Sequence, residues 1–193
     1  MKELQKYCSI LVIALLLVSC SSEPKFNTIQ GEAQGTTYSI KYIANQEVVS
    51  KKQTDSLLLA FDMSLSTYRD DSKISKINSG DSTVVVDDLF VENFKISSEI
   101  YKETSGLFDP TIGVLVNAYG FGPNKKHQNL SQNQIDSLLQ FVGLDKVQLN
   151  ENKTISKKYK ETYLDFNAIA QGYSVDVVVN FLKSKGIENA IVE

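Results

Sequence analysis

Both cysteines of this chain, Cys8 and Cys20, fall in its first twenty residues, and none follows in the remaining 173. The body of the protein therefore has no disulfide and no cysteine-bound metal to hold it together. It must fold on apolar packing. Hydrophobic residues make up 42% and charged residues 22%, close to a globular domain and far from a disordered chain. A length of 193 residues suits one domain, or one domain plus a tail. The net charge is -3, and Arg69 is the only arginine among 20 basic residues, which argues against binding to a nucleic-acid backbone.

Lys2 and Lys6 precede a nearly unbroken aliphatic run from Ile10 to Val18, the layout of a secretory signal peptide. A bilayer span needs about 20 apolar residues, so this run is too short for a permanent transmembrane helix. It ends in Leu17-Val18-Ser19-Cys20, which resembles the lipobox of bacterial lipoproteins. The alternative is an ordinary signal peptide with an incidental cysteine. On the lipobox reading residues 1–19 are removed together with Cys8, and Cys20 becomes a lipidated amino terminus. Residues 20–26 then form a short tether to a domain over 27–193, held at a membrane of the bacterial envelope outside the cytoplasm. The processed chain keeps 18 basic and 22 acidic residues, a net charge of -4.

Thr36 to Ile43 alternates β-branched or aromatic with polar residues, the period of a half-buried strand. Leu57, Leu58, Phe61 and Leu65 fall at helical spacing, predicting a helix from about Val48 to Ser64. Val84 to Val86 is a short strand candidate, followed by a helix from about Asp88 to Thr104, with Phe90, Phe94, Ile100 and Tyr101 on its stripe and Ser105-Gly106 as its stop. Ser131 with Gln134 forms a capping box for a helix to about Val142, closed by Gly143. Val147 to Leu149, Thr154 to Ser156 and Thr162 to Phe166 read as short strands. Asn167 then caps a helix to about Lys185, with Ile169, Tyr173, Val177, Phe181 and Leu182 on one face and Gly186 beyond its end. Ala190 to Val192 begins another strand.

Four polar, glycine-containing stretches interrupt these elements. The first, Gly31 to Tyr38, is either a hairpin bend or a place where backbone approaches a ligand closely. The second, Ser64 to Ser72, carries Tyr68, which can stack on a ring, and Arg69, which on a plainer reading pairs with Asp70 or Asp71. The third, Ser105 to Gly113 and on to Pro123, combines glycines, prolines, aromatics and Asp109, and reads as a shaped wall more than a connector. The fourth, Leu164 to Asp176, sets Asp165 ahead of a helix whose N-H groups suit a diphosphate. There Gly172 is either a point of close approach or a packing contact.

Several chemistries are excluded. His127 is the only histidine and lies in a lysine-rich loop, so a histidine triad or multi-histidine metal site is unavailable and a surface position is expected. There is no Walker A motif and no Rossmann glycine fingerprint. Any metal must be held by oxygen, which favours magnesium or calcium.

In their order and spacing, Gly35-Thr36-Thr37-Tyr38, Ser64 to Asn78, Ser105 to Pro123 and Leu164 to Asp176 resemble the FAD:protein FMN transferases, the ApbE-type flavin transferases, many of which are lipoproteins. The resemblance implies an α+β fold, with a mixed or antiparallel sheet and packed helices. It implies FAD as substrate, magnesium as cofactor, and transfer of FMN to a threonine or serine hydroxyl of an acceptor protein with release of AMP. Acceptors in this family are subunits of membrane electron-transfer complexes. Carried over by position, the FAD contacts are Gln34, Tyr68, Leu107, Phe108, Asp109, Asp165 and Gln171, and Ala168 offers its carbonyl to magnesium. Gln171 replaces a lysine of many relatives, so a neutral donor stands where a charge would. Relatives continue beyond Glu193 with further FAD contacts and metal ligands, so the chain reads as the amino-terminal part of the family fold. The alternative is a lipoprotein that binds or delivers FAD without transferring it.

Overall fold

The computed structural model describes residues 25–123 and 129–193. Cys8, Cys20, the aliphatic run between them and His127 lie outside the described residues. The chain opens with an antiparallel hairpin, β1 (Phe26–Ala33) and β2 (Thr36–Ile43), in which Ala33 pairs with Thr36. Gln34 and Gly35 are thus the two turn residues, both at positive φ, +54° and +75°. Two positive φ values match the right-handed strand twist and favour glycine at the second position. This is the hairpin bend of the first stretch. Strand β1 has no sequence signature because only Ile29 of its eight residues is buried.

Four of the helices follow the periodicity. Helix α1 (Lys51–Leu65) starts at a capping box in which Ser50 and Gln53 exchange hydrogen bonds. Helix α2 (Lys73–Asn78) has no counterpart in the pattern, being too short to display one. Helix α3 (Asp88–Glu103) is capped by Asp87, and α4 (Gly113–Ala118) is a further short helix. Helix α5 (Gln132–Leu139) begins at the expected Ser131–Gln134 box but ends before Val142. The next two amides, of Phe141 and Val142, fold back on carbonyls only three residues earlier, tightening the turn and closing the helix. Helix α6 (Asn167–Ser184) is the longest among the described residues.

Strands β3 (Val147–Leu149) and β4 (Ile155–Lys157) form a second antiparallel pair, and β5 (Ala190–Val192) joins the free side of β2. Antiparallel sheets with helices packed on them give the α+β class. Two expected strands are absent. Val86 donates one backbone bond, to Lys153 O at 2.8 Å, and Val84 to Val86 otherwise runs without a partner strand. Thr162 to Phe166 makes only a single parallel bridge, Tyr163 to Ile112. Both segments are rich in β-branched or aromatic residues, but no neighbouring strand offers a ladder.

Helix α6 differs from its sequence reading in two ways. Its cap position is Phe166, not Asn167, and Asp165 Oδ1 accepts the Asn167 N-H at 2.8 Å. The buried line is Ala170, Ser174, Val178 and Leu182, while Ile169, Tyr173, Val177 and Phe181 are half-buried beside it. The helix is flanked by packing on more than one side, which blurs any single apolar stripe.

Packing divides into two cores. Phe61, Leu65, Phe90, Phe94, Leu164, Phe166 and Ala170 belong to one, where Phe90 and Phe166 meet edge to face with centroids 5.4 Å apart. Ile40, Tyr42, Leu58, Val178 and Leu182 belong to the other, against the three-stranded sheet. Helices α1 and α6 contribute to both, so the seam between the cores runs along them. No helix among the described residues is long and apolar enough to cross a membrane.

Gly31 sits opposite Tyr38 in the hairpin register, and a Cβ at Gly31 would lie 2.6 Å from the Tyr38 ring. The close approach is to this side chain. Tyr38 cannot swing freely, since its hydroxyl donates to Asp55 Oδ1 at 2.6 Å and Lys51 pairs with the same carboxylate. Gly31→Ala is expected to destabilise the fold by about 1–2 kcal/mol in chemical denaturation. In a Tyr38→Ala background that cost should vanish, and an equal cost in both backgrounds would contradict the account.

Candidate functional site

A cleft of about 570 Å³ opens at the seam between the two cores. Volumes of roughly 300–1,000 Å³ are usual for small-molecule sites. Phe61 and Leu65 of α1 and Ala170 of α6 form its apolar wall, and Gln34, Gly35, Asp62, Ser66, Tyr68, Arg69, Asn167 and Gln171 its polar one. Parts of the first, second and fourth stretches thus meet here. Gln34, Tyr68 and Gln171 line the same space.

Leu164 to Ser174 acts as the hub. Leu164 is fully buried outside any strand, so its backbone needs side-chain partners. Asn78 supplies both: its Nδ2 donates to Leu164 O and its Oδ1 accepts from Leu164 N, each at 2.8 Å. One residue on, Asp165 N donates to Pro110 O at 2.8 Å, tying the fourth stretch to the third. Gly113 permits this contact, since a Cβ there would fall 2.4 Å from the Tyr163 ring. Asn167 Nδ2 reaches Thr67 Oγ1 of the second stretch at 3.3 Å. Ser174 Oγ reaches Gln34 Oε1 of the first at 3.2 Å.

The same serine has one hydroxyl hydrogen and a nearer acceptor, Gln171 O at 2.7 Å. Gln34 Nε2 is buried with no partner, leaving a spare donor in the wall. An unmet buried donor costs about 1–3 kcal/mol. Tyr68 projects from the opposite side, its side chain exposed and its hydroxyl donating to Phe121 O at 3.4 Å, so it joins the cleft to the end of the third stretch.

The other expected FAD contacts stand apart from the cleft lining. Leu107 is 94% exposed, and Phe108 is half-buried with its N-H on Thr104 Oγ1 at 3.1 Å. Asp109 Oδ1 accepts from Thr111 N at 2.8 Å and Thr111 Oγ1 at 2.6 Å, holding its own turn. Asp165 stands at the start of α6, and burial pushes its carboxyl above the usual carboxylate range. Ala168 is exposed in the first turn of α6. It brings one neutral carbonyl, and among the described residues no three His, Cys, Asp or Glu side chains converge to hold a metal. Magnesium needs near-octahedral oxygen coordination, so these residues do not by themselves make its site.

Sequence reasoning missed Asp62 and Asn78. Asp62 lies on α1 between the core residues Phe61 and Leu65, and its position within that helical stripe was the available signal. Its carboxylate makes no hydrogen bond or ion pair among the described residues. Burial pushes its pKa up, and the nearby Arg69 charge pulls in the opposite direction. Arg69 itself forks onto Asp71, Nε to Oδ1 at 3.1 Å and Nη2 to Oδ2 at 3.0 Å, as the plainer reading of that loop expects.

The model of the ApbE family matches residues 34–193. The FAD:protein FMN transferase of Haemophilus influenzae is 30% identical over 205 residues, covering the whole chain and 59% of the relative. That of Vibrio cholerae is 34% identical over 194 residues, covering 93% of this chain and 55% of the relative. Among solved structures, the flavin transferase ApbE from Vibrio cholerae superposes with a TM-score of 0.81 at 32% identity, over 89% of this chain and 57% of that one. The apo form of the Pseudomonas stutzeri flavinyl transferase ApbE gives a TM-score of 0.81 at 28% identity, over 90% of this chain and 57% of that one. The chain therefore spans somewhat more than half the length of the relatives it matches.

Two outcomes follow from the geometry. Asn78→Ala leaves both polar groups of the Leu164 backbone without partners and is expected to cost about 2–4 kcal/mol in urea unfolding. A loss below 0.5 kcal/mol, a typical surface value, would contradict the hub role. For Asp62 the folded pKa lies above the unfolded one, so stability falls as pH rises from about 4 through the raised value. The Tm of Asp62→Asn minus that of the wild type should therefore increase between pH 4 and 7, and a constant difference would refute the burial argument.

Proposed function

The chain belongs to the ApbE family, and from that premise we propose that the protein it represents is an FAD:protein FMN transferase. The observation that carries this reading is the convergence of Gln34, Tyr68 and Gln171, from three separate stretches, on one cleft between the cores. Curated relatives bearing that activity in their names support it.

In the proposed reaction a threonine or serine hydroxyl of an acceptor protein attacks the flavin-side phosphorus of FAD. A phosphoester O-P bond forms, the diphosphate P-O bond breaks, the hydroxyl proton passes to solvent or a base, and AMP leaves. Such transfers depend mostly on positioning and electrostatics. Tyr68 offers an exposed ring on which a flat heterocycle stacks, and Phe61 and Leu65 give the apolar floor that keeps water from that face. Gln34 and Gln171 offer neutral amide donors. Magnesium enters the proposal through the Ala168 carbonyl, and supplies neutralisation of phosphate charge when bound. The described residues bring no further ligand, so no step is derived through it.

The proposal extends to the cell. The aliphatic run ending in Cys20 supports a lipid anchor at a membrane outside the cytoplasm, where subunits of electron-transfer complexes are the proposed acceptors. The alternative is an FAD carrier that binds without transfer.

The test is incubation of the protein with FAD, magnesium and a candidate acceptor, followed by denaturing electrophoresis for covalent flavin and assay for AMP. Fluorescent acceptor and released AMP, both abolished by a magnesium chelator, are expected. Tight FAD binding with neither product would select the carrier reading.

A further inference from the structure

Among the described residues lining the cleft, two carry charge: Asp62 and Arg69. A dinucleotide such as FAD brings a diphosphate with about two negative charges, and some group must meet it. The amino terminus of α6, with a partial positive charge of roughly half a unit, is one source. Its first N-H is already engaged, because Asp165 Oδ1 accepts the Asn167 N-H at 2.8 Å and places a carboxyl at the helix start. Gln171 and Asn167 contribute neutral amides. Among the described residues, Arg69 is the one cation left in the wall.

Its geometry fits that task. Nε and Nη2 are spent on Asp71, which fixes the plane of the guanidinium, while Nη1 makes no hydrogen bond among the described residues. An arginine held on one edge and free on the other is a preorganised phosphate ligand. The side chain is 38% exposed, so it is reachable from solvent. The preceding residue, Tyr68, lines the same cleft with 58% of its surface open. Adjacent ring and cation suit a ligand in which a flat heterocycle lies a short chain away from phosphate.

We propose that Arg69 binds the diphosphate of the dinucleotide in this cleft through its Nη1 edge, and that Asp71 aims it. The inference rests on the flavin reading above. Without Arg69 the charged wall reduces to Asp62, which repels phosphate. An isolated loop ion pair between Arg69 and Asp71 would instead be indifferent to what occupies the cleft.

The experiment is titration of the full chain with two probes, FAD and riboflavin, the second lacking any phosphate, with circular dichroism to check the fold of each variant. Arg69→Gln should weaken FAD binding about tenfold or more and leave riboflavin affinity within about twofold. Arg69→Lys, which keeps the charge but loses the fork, should fall between, and the salt dependence of FAD binding should flatten in Arg69→Gln. Equal losses for both flavins, or unchanged FAD affinity, would overturn the role of Arg69 while leaving the flavin reading intact. Failure of the wild type to bind either flavin would sink that reading and this inference together.

Discussion

The backbone of Leu164 is buried without a strand to pair with, and Asn78 is the partner that makes this tolerable. A buried peptide group without hydrogen bonds is costly enough that the chain could not otherwise pass here. With both bonds made, the residues that follow are fixed in direction. Asp165 docks on Pro110 and Asn167 on Thr67, and Ser174 lies beside Gln34. Three remote parts of the sequence thereby meet one segment through polar contacts, alongside the two cores in which α1 and α6 also pack.

The cleft exists because α1 and α6 serve two cores at once. Leu58 and Val178 face the sheet, while Phe61, Leu65 and Ala170 face the helical layer. At the crossover the apolar side chains part, and the gap is rimmed by residues too polar to close it. That arrangement explains why an unpaired carboxylate, a buried amide donor and a half-committed arginine all occur in the wall of one cleft. Each is a local cost to the fold that a ligand can offset, and such costs gather where function resides.

What could be read from sequence follows from the range of the interaction concerned. The Ser131 end of α5, the β2 strand and the Gly186 stop are local, and chain chemistry within four residues determines them. The Val84–Val86 and Thr162–Phe166 strands failed because residue type says nothing about whether a partner strand is present. The stripe on α6 slipped by one position because the helix is packed from several sides. Gln34, Tyr68 and Gln171 were recognisable through family resemblance, and their shared cleft needed the fold. Asn78 and Asp62 were not singled out for a related reason: one acts across 86 residues of sequence, and the other is a charged residue within a helical stripe whose neighbours partly bury it.

The central claim is that the parts of the chain gathered by Leu164 to Ser174 form one FAD-binding cleft. Hydrogen exchange of the backbone with and without FAD tests it most directly. The account predicts new protection at Gln34–Gly35, Ser66–Arg69 and Asn167–Gln171 together, with β3 and β4 unchanged. Protection confined to any one of these segments, or to none of them in the presence of bound FAD, would contradict it.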